Sequence, residues 1–305
     1  MAQRYNILLF DGFSNHCLAS LVEPLRAANT LAGQALYAWQ FYSMDGAPVQ
    51  SSSGLRVTPD GALGVEAGDV LVVMPSYGFL DLTIPETLRA LRRAATRHVK
   101  LAGLDTGSWL LAHAGLLEGR RATIHWDELP RFEETFPEVD VVQERFVIDD
   151  SRITCSGAMA AYDLATALIL ADHGPLLSME VAHLLMNRSE PGATALPMKS
   201  KDSLVNRVLH VMQNALESPL RIRDIARQLG CSQKKIEIRV QVEFGTTPQA
   251  LYRRLRLNLA RKLATETQQS VAEIASRCGY ENASAMTRAF RSEFGLTPTA
   301  CRKGG

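Results

Sequence analysis

The feature that most constrains this 305-residue chain is a repeat within residues 204–305. One motif recurs 49 residues apart, as Ile222-x-x-Ile225-Ala226-x-x-x-Gly230 and Val271-x-x-Ile274-Ala275-x-x-x-Gly279. A second recurs 50 residues apart, as Glu243-Phe244-Gly245-x-Thr247-Pro248 and Glu293-Phe294-Gly295-x-Thr297-Pro298. Because a stacked repeat array needs roughly three or more units, two copies predict a duplicated helical module instead.

Each copy has the residue order of a helix-turn-helix. Gly230 and Gly279 follow the first helix and suit a turn with positive φ. The next helix is expected to be capped by Ser232 in the first copy and by Asn282 or Ser284 in the second. Its polar residues have side chains that suit base edges and phosphates. The predicted DNA-binding residues are Ser232, Gln233, Lys234, Lys235 and Arg239, then Asn282, Ser284, Thr287, Arg288 and Arg291, with Glu237 also on the first of these helices.

The net charge of +1 conceals two halves of opposite sign. Residues 1–203 carry 16 Lys and Arg against 24 Asp and Glu, whereas residues 204–305 carry 17 against 8. A basic half that contains a helix-turn-helix repeat is suited to phosphate contact, since counterion release favours such binding. A solvated basic face would give the same count.

The front half alternates short β-rich runs with helical patterns. Strands are expected at Tyr5–Phe10, Trp39–Met44, Val70–Pro75, Lys100–Asp105, Arg121–Trp126 and Arg145–Asp149. Helices are expected at Cys17–Leu31, Ile84–Arg97, Gly107–Ala114, Glu128–Phe136 and Ala158–His173. This alternation predicts a three-layer, doubly wound parallel α/β domain at 1–187, then a linker at 188–203 and an all-α domain at 204–305. Its ligand site would lie at the carboxyl ends of the strands.

The composition excludes several other classes of protein. With 46% hydrophobic and 21% charged residues, the chain is neither disordered nor collagen-like. Five scattered cysteines without a CxxC pair indicate reduced thiols and a cytoplasmic location. No apolar run approaches the length of a membrane span. The seven histidines show no HxxxH or HxH spacing, so no metal site is predicted. No cofactor is predicted either.

The last hundred residues resemble the DNA-binding domain of AraC/XylS transcription regulators. The signature is clearest in the second copy, as Ile274-Ala275-x-x-x-Gly279-Tyr280 and Phe290-Arg291-x-x-Phe294-Gly295-x-Thr297-Pro298. The resemblance implies seven helices, with a central one near Pro248–Glu266 that holds two recognition helices about 34 Å apart in successive major grooves. The first copy departs from the family pattern, because Ile238 and Val240 stand where relatives place Arg and Phe. Arg239 is therefore expected to lie nearer the DNA backbone.

The front half resembles the class I glutamine amidotransferase-like, PfpI-type fold that some AraC-family regulators carry. The match spans Ile7 to about Leu185, with landmarks at Phe10-Asp11-Gly12-Phe13, Glu23–Asn29, Gly103–Trp109, Gly119–Trp126 and Cys155–Ala158. In enzymatic members, a cysteine nucleophile occupies the strand-to-helix turn that here contains Asp105. His125 keeps the family's histidine position, and Cys17 aligns with its acidic companion. The resemblance therefore implies a pseudoenzyme. The alternative is an amidohydrolase or glyoxalase-like enzyme with an accessory DNA-binding domain, in which Cys17 serves as a displaced thiol.

A pseudoenzyme of this fold retains a pocket that would bind a small-molecule effector. Its predicted residues are Cys17, Asp105, Thr106, Trp109, His125 and Trp126. A carboxylate beside aromatic rings favours a cationic nitrogen compound, and some similar regulators sense arginine, betaine or carnitine-like molecules. The alternatives are a helix-capping role for Asp105, core packing for the two tryptophans and a structural role for His125. The resemblance also implies a homodimer that binds promoter DNA and works with RNA polymerase, most simply as an activator of catabolic genes.

Overall fold

The computed structural model describes residues 1–64, 66–185 and 202–303, and most of the predicted linker at 188–203 lies outside these ranges. The described chain packs into two compact units. The first comprises Met1–Thr30 and Gln34–Asp172, and the second comprises Leu31–Gly33 and the residues from His173 onward. Within the described residues, no helix is long and apolar enough to cross a bilayer.

The first unit is built on a seven-stranded sheet in the order β10-β11-β7-β6-β1-β2-β5. Its pairs are parallel except for the antiparallel edge pair β10–β11. The strands of the unit are β1 (Gln3–Leu9), β2 (Tyr37–Ser43), β3 (Val49–Gln50), β4 (Arg56–Val57), β5 (Gly61–Ala62), β6 (Gly68–Met74), β7 (His98–Leu104), β8 (Arg121–Ala122), β9 (Asp140–Val141), β10 (Phe146–Asp149) and β11 (Arg152–Cys155).

Helices cover the sheet because its central strands are apolar on both sides. Leu8, Leu71 and Val73 share a buried cluster with residues of α2, α3 and α4. Ile7 and Val72 alternate with them and are also buried, so they face the opposite side of the sheet. The helices of the first unit are α1 (Asn15–Ala32, whose last two residues are grouped with the second unit), α2 (Pro85–Ala95), α3 (Gly107–His113), α4 (Leu129–Thr135) and α5 (Ala158–His173). The predicted α/β class is confirmed.

Two local predictions in the first unit were wrong. The expected strand Arg121–Trp126 is a two-residue strand, because the backbone of Thr123 hydrogen-bonds to side chains instead of a neighbouring strand. Its N–H donates to Thr154 Oγ1 (2.9 Å), and its carbonyl accepts from Ser108 Oγ (2.6 Å). Strand β11 was not predicted, although it lies beside β7 at the centre of the site described below.

The second unit is helical. Its helices are α6 (Pro175–Leu185), α7 (Ser203–Asn214), α8 (Ile222–Gln228), α9 (Gln233–Phe244), α10 (Pro248–Glu266), α11 (Val271–Arg277), α12 (Ala283–Phe294) and α13 (Pro298–Lys303). Seven of these, α7–α13, fall within residues 202–303, and α10 has the bounds expected for the central helix. Helix α10 joins two hydrophobic cores, because Leu251 and Leu255 pack with α7–α9 whereas Leu257 and Leu263 pack with α11 and α12.

Helix α6 belongs to the second unit by its packing, although the predicted first domain extends to residue 187. Leu176 and Met179 pack against the core of the first helix-turn-helix copy. Glu180 is 4% exposed and accepts from Arg254 Nε (2.6 Å) and Nη2 (3.0 Å) of α10. The packing boundary therefore falls at Asp172–His173, before the Pro- and Gly-containing stretch that marked the boundary in the sequence.

Candidate functional site: the strand-to-helix elbow and the paired helix-turn-helix

Asp105 forms a sharp elbow between β7 and α3. Its φ of 60° lies in the left-handed region, which few non-glycine residues adopt. The elbow also brings α3 against the end of β6. A Cβ atom at Gly107 would lie 2.1 Å from the carbonyl oxygen of Val73, so only glycine fits there. Because Asp105 directly follows β7, it lies at the carboxyl edge of the sheet, where the ligand site was predicted. Its strained backbone conformation is a feature common at functional sites.

The Asp105 carboxyl is enclosed, with 6% of the residue exposed. Burial raises the pKa of this carboxyl, although His125 and hydrogen bonds from Ser76 and the Thr106 backbone act to lower it. The backbone carbonyl of Asp105 accepts from the His125 N–H at 3.0 Å, which fixes the 123–125 segment against the elbow. Thr106 is the N-cap residue of α3, and its side chain makes no capping hydrogen bond. The Asp105 carboxyl is therefore held by polar neighbours one residue before the helix cap.

Two cysteines near the elbow are buried thiols. Cys17 in α1 and Cys155 at the end of β11 are each 0% exposed. Burial raises the pKa of Cys17 well above its ordinary value and that of Cys155 to about 12, and Asp105 adds to both shifts. A protonated, enclosed thiol is a poor nucleophile. This environment argues against the alternative in which Cys17 acts as a displaced catalytic thiol.

Of the other predicted pocket residues, Trp109 and Thr106 are buried in the core and Trp126 is exposed on the surface. Trp109 is 4% exposed, and its ring packs edge-on against Phe79 and Phe136 at centroid distances of 5.4 and 5.2 Å. Thr106 is also buried and donates from Oγ1 to the Ser76 carbonyl at 3.1 Å. Trp126 is 69% exposed and lies 5.6 Å from the His125 ring. Trp109 is therefore part of the core, whereas the Trp126 ring lies on the surface.

No group of three His, Cys, Asp or Glu side chains suited to a metal ion occurs within residues 1–64, 66–185 and 202–303. The structure therefore supplies no candidate metal centre in the described part of the chain.

The predicted caps Ser232 and Asn282 are observed in the two helix-turn-helix copies, whereas Ser284, the alternative to Asn282, lies inside α12. Ser232 Oγ accepts from the Lys235 N–H (3.2 Å) and begins α9. Asn282 Oδ1 accepts from the Ala285 N–H (2.8 Å) and begins α12. The turn glycines that precede them have φ of 64° at Gly230 and 68° at Gly279. Both second helices therefore begin directly after a left-handed turn, as in a helix-turn-helix.

Most of the predicted DNA-binding side chains lie on the surface of these helices. The exposed ones are Gln233, Lys234, Lys235 and Arg239 on α9, and Ser284, Arg288 and Arg291 on α12, while Thr287 is half-buried. Within α9, Gln233 donates to Glu237 Oε1 at 2.8 Å. Arg239 Nη1 lies 3.3 Å from Asp202 Oδ2, next to the start of α7. Arg239 is thus directed partly toward α7 rather than straight outward.

A basic cleft beside α9 was not predicted. It has a volume of about 480 Å³ and is lined by Gln233 and by Arg221, Arg223, Arg253 and Arg256 from the α7–α8 loop, α8 and α10. Arg256 is already engaged, since it donates to the carbonyls of Cys278 (2.7 Å) and Gly279 (2.6 Å). The signal in the sequence was the high Arg content of α10, but periodicity alone does not show which arginines converge.

Comparisons with known proteins agree with both halves of the structure. Residues 225–304 match a helix-turn-helix domain family, and residues 3–171 match the DJ-1/PfpI family. The chain is 37% identical to the HTH-type transcriptional regulator CdhR of Pseudomonas aeruginosa, over 99% of this chain and 92% of that protein. It is 34% identical to the HTH-type transcriptional regulator GbdR of the same species, over 99% and 84%.

A solved structure resembles part of this chain. The crystal structure of an AraC family transcriptional regulator from Pseudomonas putida aligns with a TM-score of 0.53 and 25% identity, covering 60% of this chain and 99% of that one. Together with the two full-length relatives, this places the chain in a family: it belongs to the HTH-type transcriptional regulators that join an N-terminal DJ-1/PfpI domain to a C-terminal AraC-type helix-turn-helix domain.

Proposed function

We propose that this regulator responds to a small metabolite and that it binds promoter DNA sequence-specifically through α9 and α12. The observation that carries the proposal is the pair of capped helices, each following a left-handed turn, on the basic unit. Ser232, Gln233, Lys234, Lys235 and Arg239 would contact one major groove. The second groove would be contacted by Asn282, Ser284, Thr287, Arg288 and Arg291.

The cleft arginines extend this interface to the DNA backbone. Arg221, Arg223 and Arg253 are exposed and lie beside Gln233 at the start of α9. Cations in this position suit phosphates that flank a helix lying in the major groove. DNA binding should therefore weaken steeply as salt is raised, because each phosphate contact releases counterions.

In the front domain we infer binding without catalysis. Asp105 occupies the elbow where enzymatic relatives of the fold carry a cysteine, and a carboxylate there lacks an activating partner for acyl chemistry. The nearby thiols of Cys17 and Cys155 are buried and have raised pKa values, which makes them unsuitable as replacements. A carboxylate at the strand ends is better suited to hold a ligand than to attack one.

The effector that this site favours is a small nitrogenous cation. An enclosed carboxylate at Asp105 would pair with an ammonium or guanidinium group, and the exposed Trp126 ring offers a cation–π surface next to His125. Cation binding would favour the ionised form of Asp105, which burial otherwise disfavours. Occupancy would change promoter binding by a coupling of about 1–3 kcal/mol, which is typical of allosteric linkage.

Asp105→Asn tests the effector proposal without disturbing the elbow, because Asn also tolerates the left-handed region. Purified full-length protein would be screened by thermal shift against quaternary-ammonium, guanidino and uncharged metabolites. A cationic ligand should raise the melting temperature of the wild type and not that of Asp105→Asn. Equal responses in both proteins, or a response to uncharged compounds alone, would contradict the proposal.

The same variant has a predictable pH profile without ligand. Burial raises the folded-state pKa of Asp105, so this residue's contribution to stability is fully present below its unfolded pKa and declines as pH rises through the folded value. The side chain of the Asp105→Asn variant cannot ionise. The melting temperature of the variant minus that of the wild type should therefore increase from acid to neutral pH. A constant difference across that range would show that Asp105 does not ionise in the way proposed.

The remaining expectations complete the proposal. A homodimer would place one α9–α12 pair on each of two DNA sites, and RNA polymerase would be the partner if the protein activates transcription. Both would operate in the cytoplasm. Sedimentation of the full-length protein with and without a promoter duplex would test the dimer.

A further inference from the structure

The recognition helix of the first copy exposes an apolar stripe. Ile238 is 52% exposed and Val242 is 76% exposed, and the two lie one helical turn apart on α9. Among residues 202–303, the only other large apolar side chain in this class is Leu220, at 38%. Their neighbour Val240 is 0% exposed and packs in the core, so α9 does not simply have surplus apolar residues on every face.

The internal repeat shows what this stripe replaces. With the 50-residue offset, Ile238 corresponds to Arg288 of α12, and Val242 corresponds to Ser292. Arg288 is the exposed cation proposed to contact a base, so Ile238 and Val242 lie on the face of α9 that would point into the groove. Neither side chain can donate or accept a hydrogen bond from a base edge. Both can pack against the C5-methyl group of thymine, which projects into the major groove.

We propose that α9 recognises thymine methyl groups through Ile238 and Val242, so that the two copies read chemically different half-sites, a half-site being the groove segment that one copy contacts. This inference rests on the proposed DNA-binding function and adds the base class that the first copy prefers. The charge around the stripe identifies DNA as its occupant. Lys234 lies one turn before Ile238 on the same face of α9, and the cleft arginines line a cavity with Gln233 at the start of the same helix. This concentration of positive charge at the start of α9 suits a polyanion better than an apolar protein surface.

The experiment first requires a DNA site and then removes only methyl groups. Full-length protein would select duplexes from a random pool, and the enriched duplex would be synthesised with deoxyuridine in place of thymidine in one half-site at a time. Deoxyuridine keeps base pairing and lacks the C5-methyl group. The affinity of the wild type should fall about fourfold per contacted methyl in one half-site, the factor that corresponds to burial of one such group.

Variants then assign the methyl contacts to α9. Ile238→Ala and Val242→Ala should each weaken binding to thymidine DNA by a similar factor. Because each variant has already lost its methyl contact, replacing that thymidine with deoxyuridine should not weaken its binding by the same factor a second time. Ser292→Ala, at the position in α12 that matches Val242, should retain the full wild-type sensitivity to deoxyuridine. Ile238→Arg makes α9 resemble α12 and should shift selection in that half-site from thymine toward guanine.

The outcomes separate this inference from the proposed function. If no duplex is enriched, the DNA-binding proposal itself fails. If duplexes are enriched but deoxyuridine changes affinity less than twofold in either half-site, the stripe does not read methyl groups and the inference is overturned. It is also overturned if Ile238→Ala remains as sensitive to deoxyuridine as the wild type. A stripe that instead contacts a protein surface would give this last result.

Discussion

The two helix-turn-helix copies share their motif and differ in how their turns are packed. Gly230 has no heavy atom within 4 Å of the position that a Cβ would take. At Gly279 the same atom would lie 2.6 Å from Pro219 Cδ and 2.7 Å from the Leu216 carbonyl oxygen. The first turn thus faces open space, whereas the second turn packs against the α7–α8 loop of the first copy. The same motif therefore forms an open surface turn in the first copy and a packed contact between the two copies in the second.

Arg256 also contacts the second turn and holds it against α10. This residue of α10 donates to the carbonyls of Cys278 and Gly279, and its guanidinium lies 4.2 Å from the Tyr280 ring centroid. The carbonyls at the C-terminal end of α11 are therefore paired by a side chain of the helix that links the two cores. Because α10 also contributes to both cores, the spacing of α9 and α12 is set by packing within the unit rather than by a flexible connection.

Alanine at the two turn glycines gives the largest expected difference between the copies. Both residues have positive φ, so each substitution should cost about 1–2 kcal/mol in backbone strain. Gly279→Ala must also displace Pro219 and the nearby carbonyls, which adds about 1–3 kcal/mol. Amide exchange in the full-length protein should show increased opening of α11 and α12 for Gly279→Ala and a smaller effect on α8 and α9 for Gly230→Ala. Equal effects would mean that the second turn is no tighter than the first.

Arg288→Ala should produce the next largest effect, on DNA affinity rather than on stability. Loss of a base contact costs about 1–3 kcal/mol, so binding to the selected duplex should weaken roughly 5- to 150-fold. The footprint should shrink on the side covered by α12 and persist on the side covered by α9. Arg288→Lys is the matched control, because it keeps the charge but loses the two-pronged geometry for guanine. Unchanged affinity and footprint for Arg288→Ala would remove this residue from the interface.

The regular parts of the fold could be predicted from the sequence because their signals are local. Helix α10 begins after Thr247, whose side chain caps it, and has Pro248 in its first turn, so its bounds were predicted correctly. Strand β11 was missed because four residues carry too little periodicity to distinguish a strand from a loop. The end of the strand at residue 122 was not foreseen, because the backbone of Thr123 hydrogen-bonds to Ser108 and Thr154, which are distant in the sequence.

The candidate sites were predictable to a different degree. Asp105 was found through the resemblance to the PfpI-type fold, whose enzymatic members carry a cysteine at this turn, while its strained φ and enclosure required the structure. Ile238 was noticed in the sequence only because it departs from the AraC/XylS family pattern, which has Arg at this position. An apolar residue in an amphipathic helix is ordinarily assigned to the core, and only the exposed fraction shows that Ile238 and Val240 lie on different faces. The direction of Arg239 toward Asp202 likewise depends on tertiary packing.

Helix capping provides a smaller test of the comparison. Ser270 and Glu273 form a reciprocal capping box at the start of α11, whereas the matching cap position of α8 is Arg221, which makes no side-chain capping bond. Ser270→Ala should therefore reduce stability by about 1 kcal/mol. Arg221→Ser should raise it by about 0.5–1 kcal/mol, because Arg221 already has the extended backbone of a cap residue. Chemical unfolding followed by circular dichroism would measure both changes.

Arg221→Ser also separates stability from binding. If Arg221 contacts a phosphate from the basic cleft, the variant should be more stable but bind DNA less tightly, with a shallower dependence of affinity on salt. If affinity and salt slope are unchanged while stability rises, the cleft is not part of the DNA interface.

The smallest expected effect concerns the ion pair that ties α9 to the start of α7. Arg239 is 54% exposed in its side chain and pairs with Asp202, while Ala289, the matching residue of α12, can make no such contact. Since exposed ion pairs contribute little, Arg239→Ala should reduce stability by less than about 1 kcal/mol. Asp202→Ala should cost more, because the Asp202 side chain also accepts from the Leu204 N–H at the cap of α7. Chemical unfolding of both full-length variants would rank them. If Arg239→Ala lowers the free energy of unfolding by as much as Asp202→Ala or more, α9 depends on this pair.

The DNA affinity of Arg239→Ala should likewise fall less than that of Arg288→Ala, because Arg239 is directed partly toward α7 and Arg288 is proposed to contact a base.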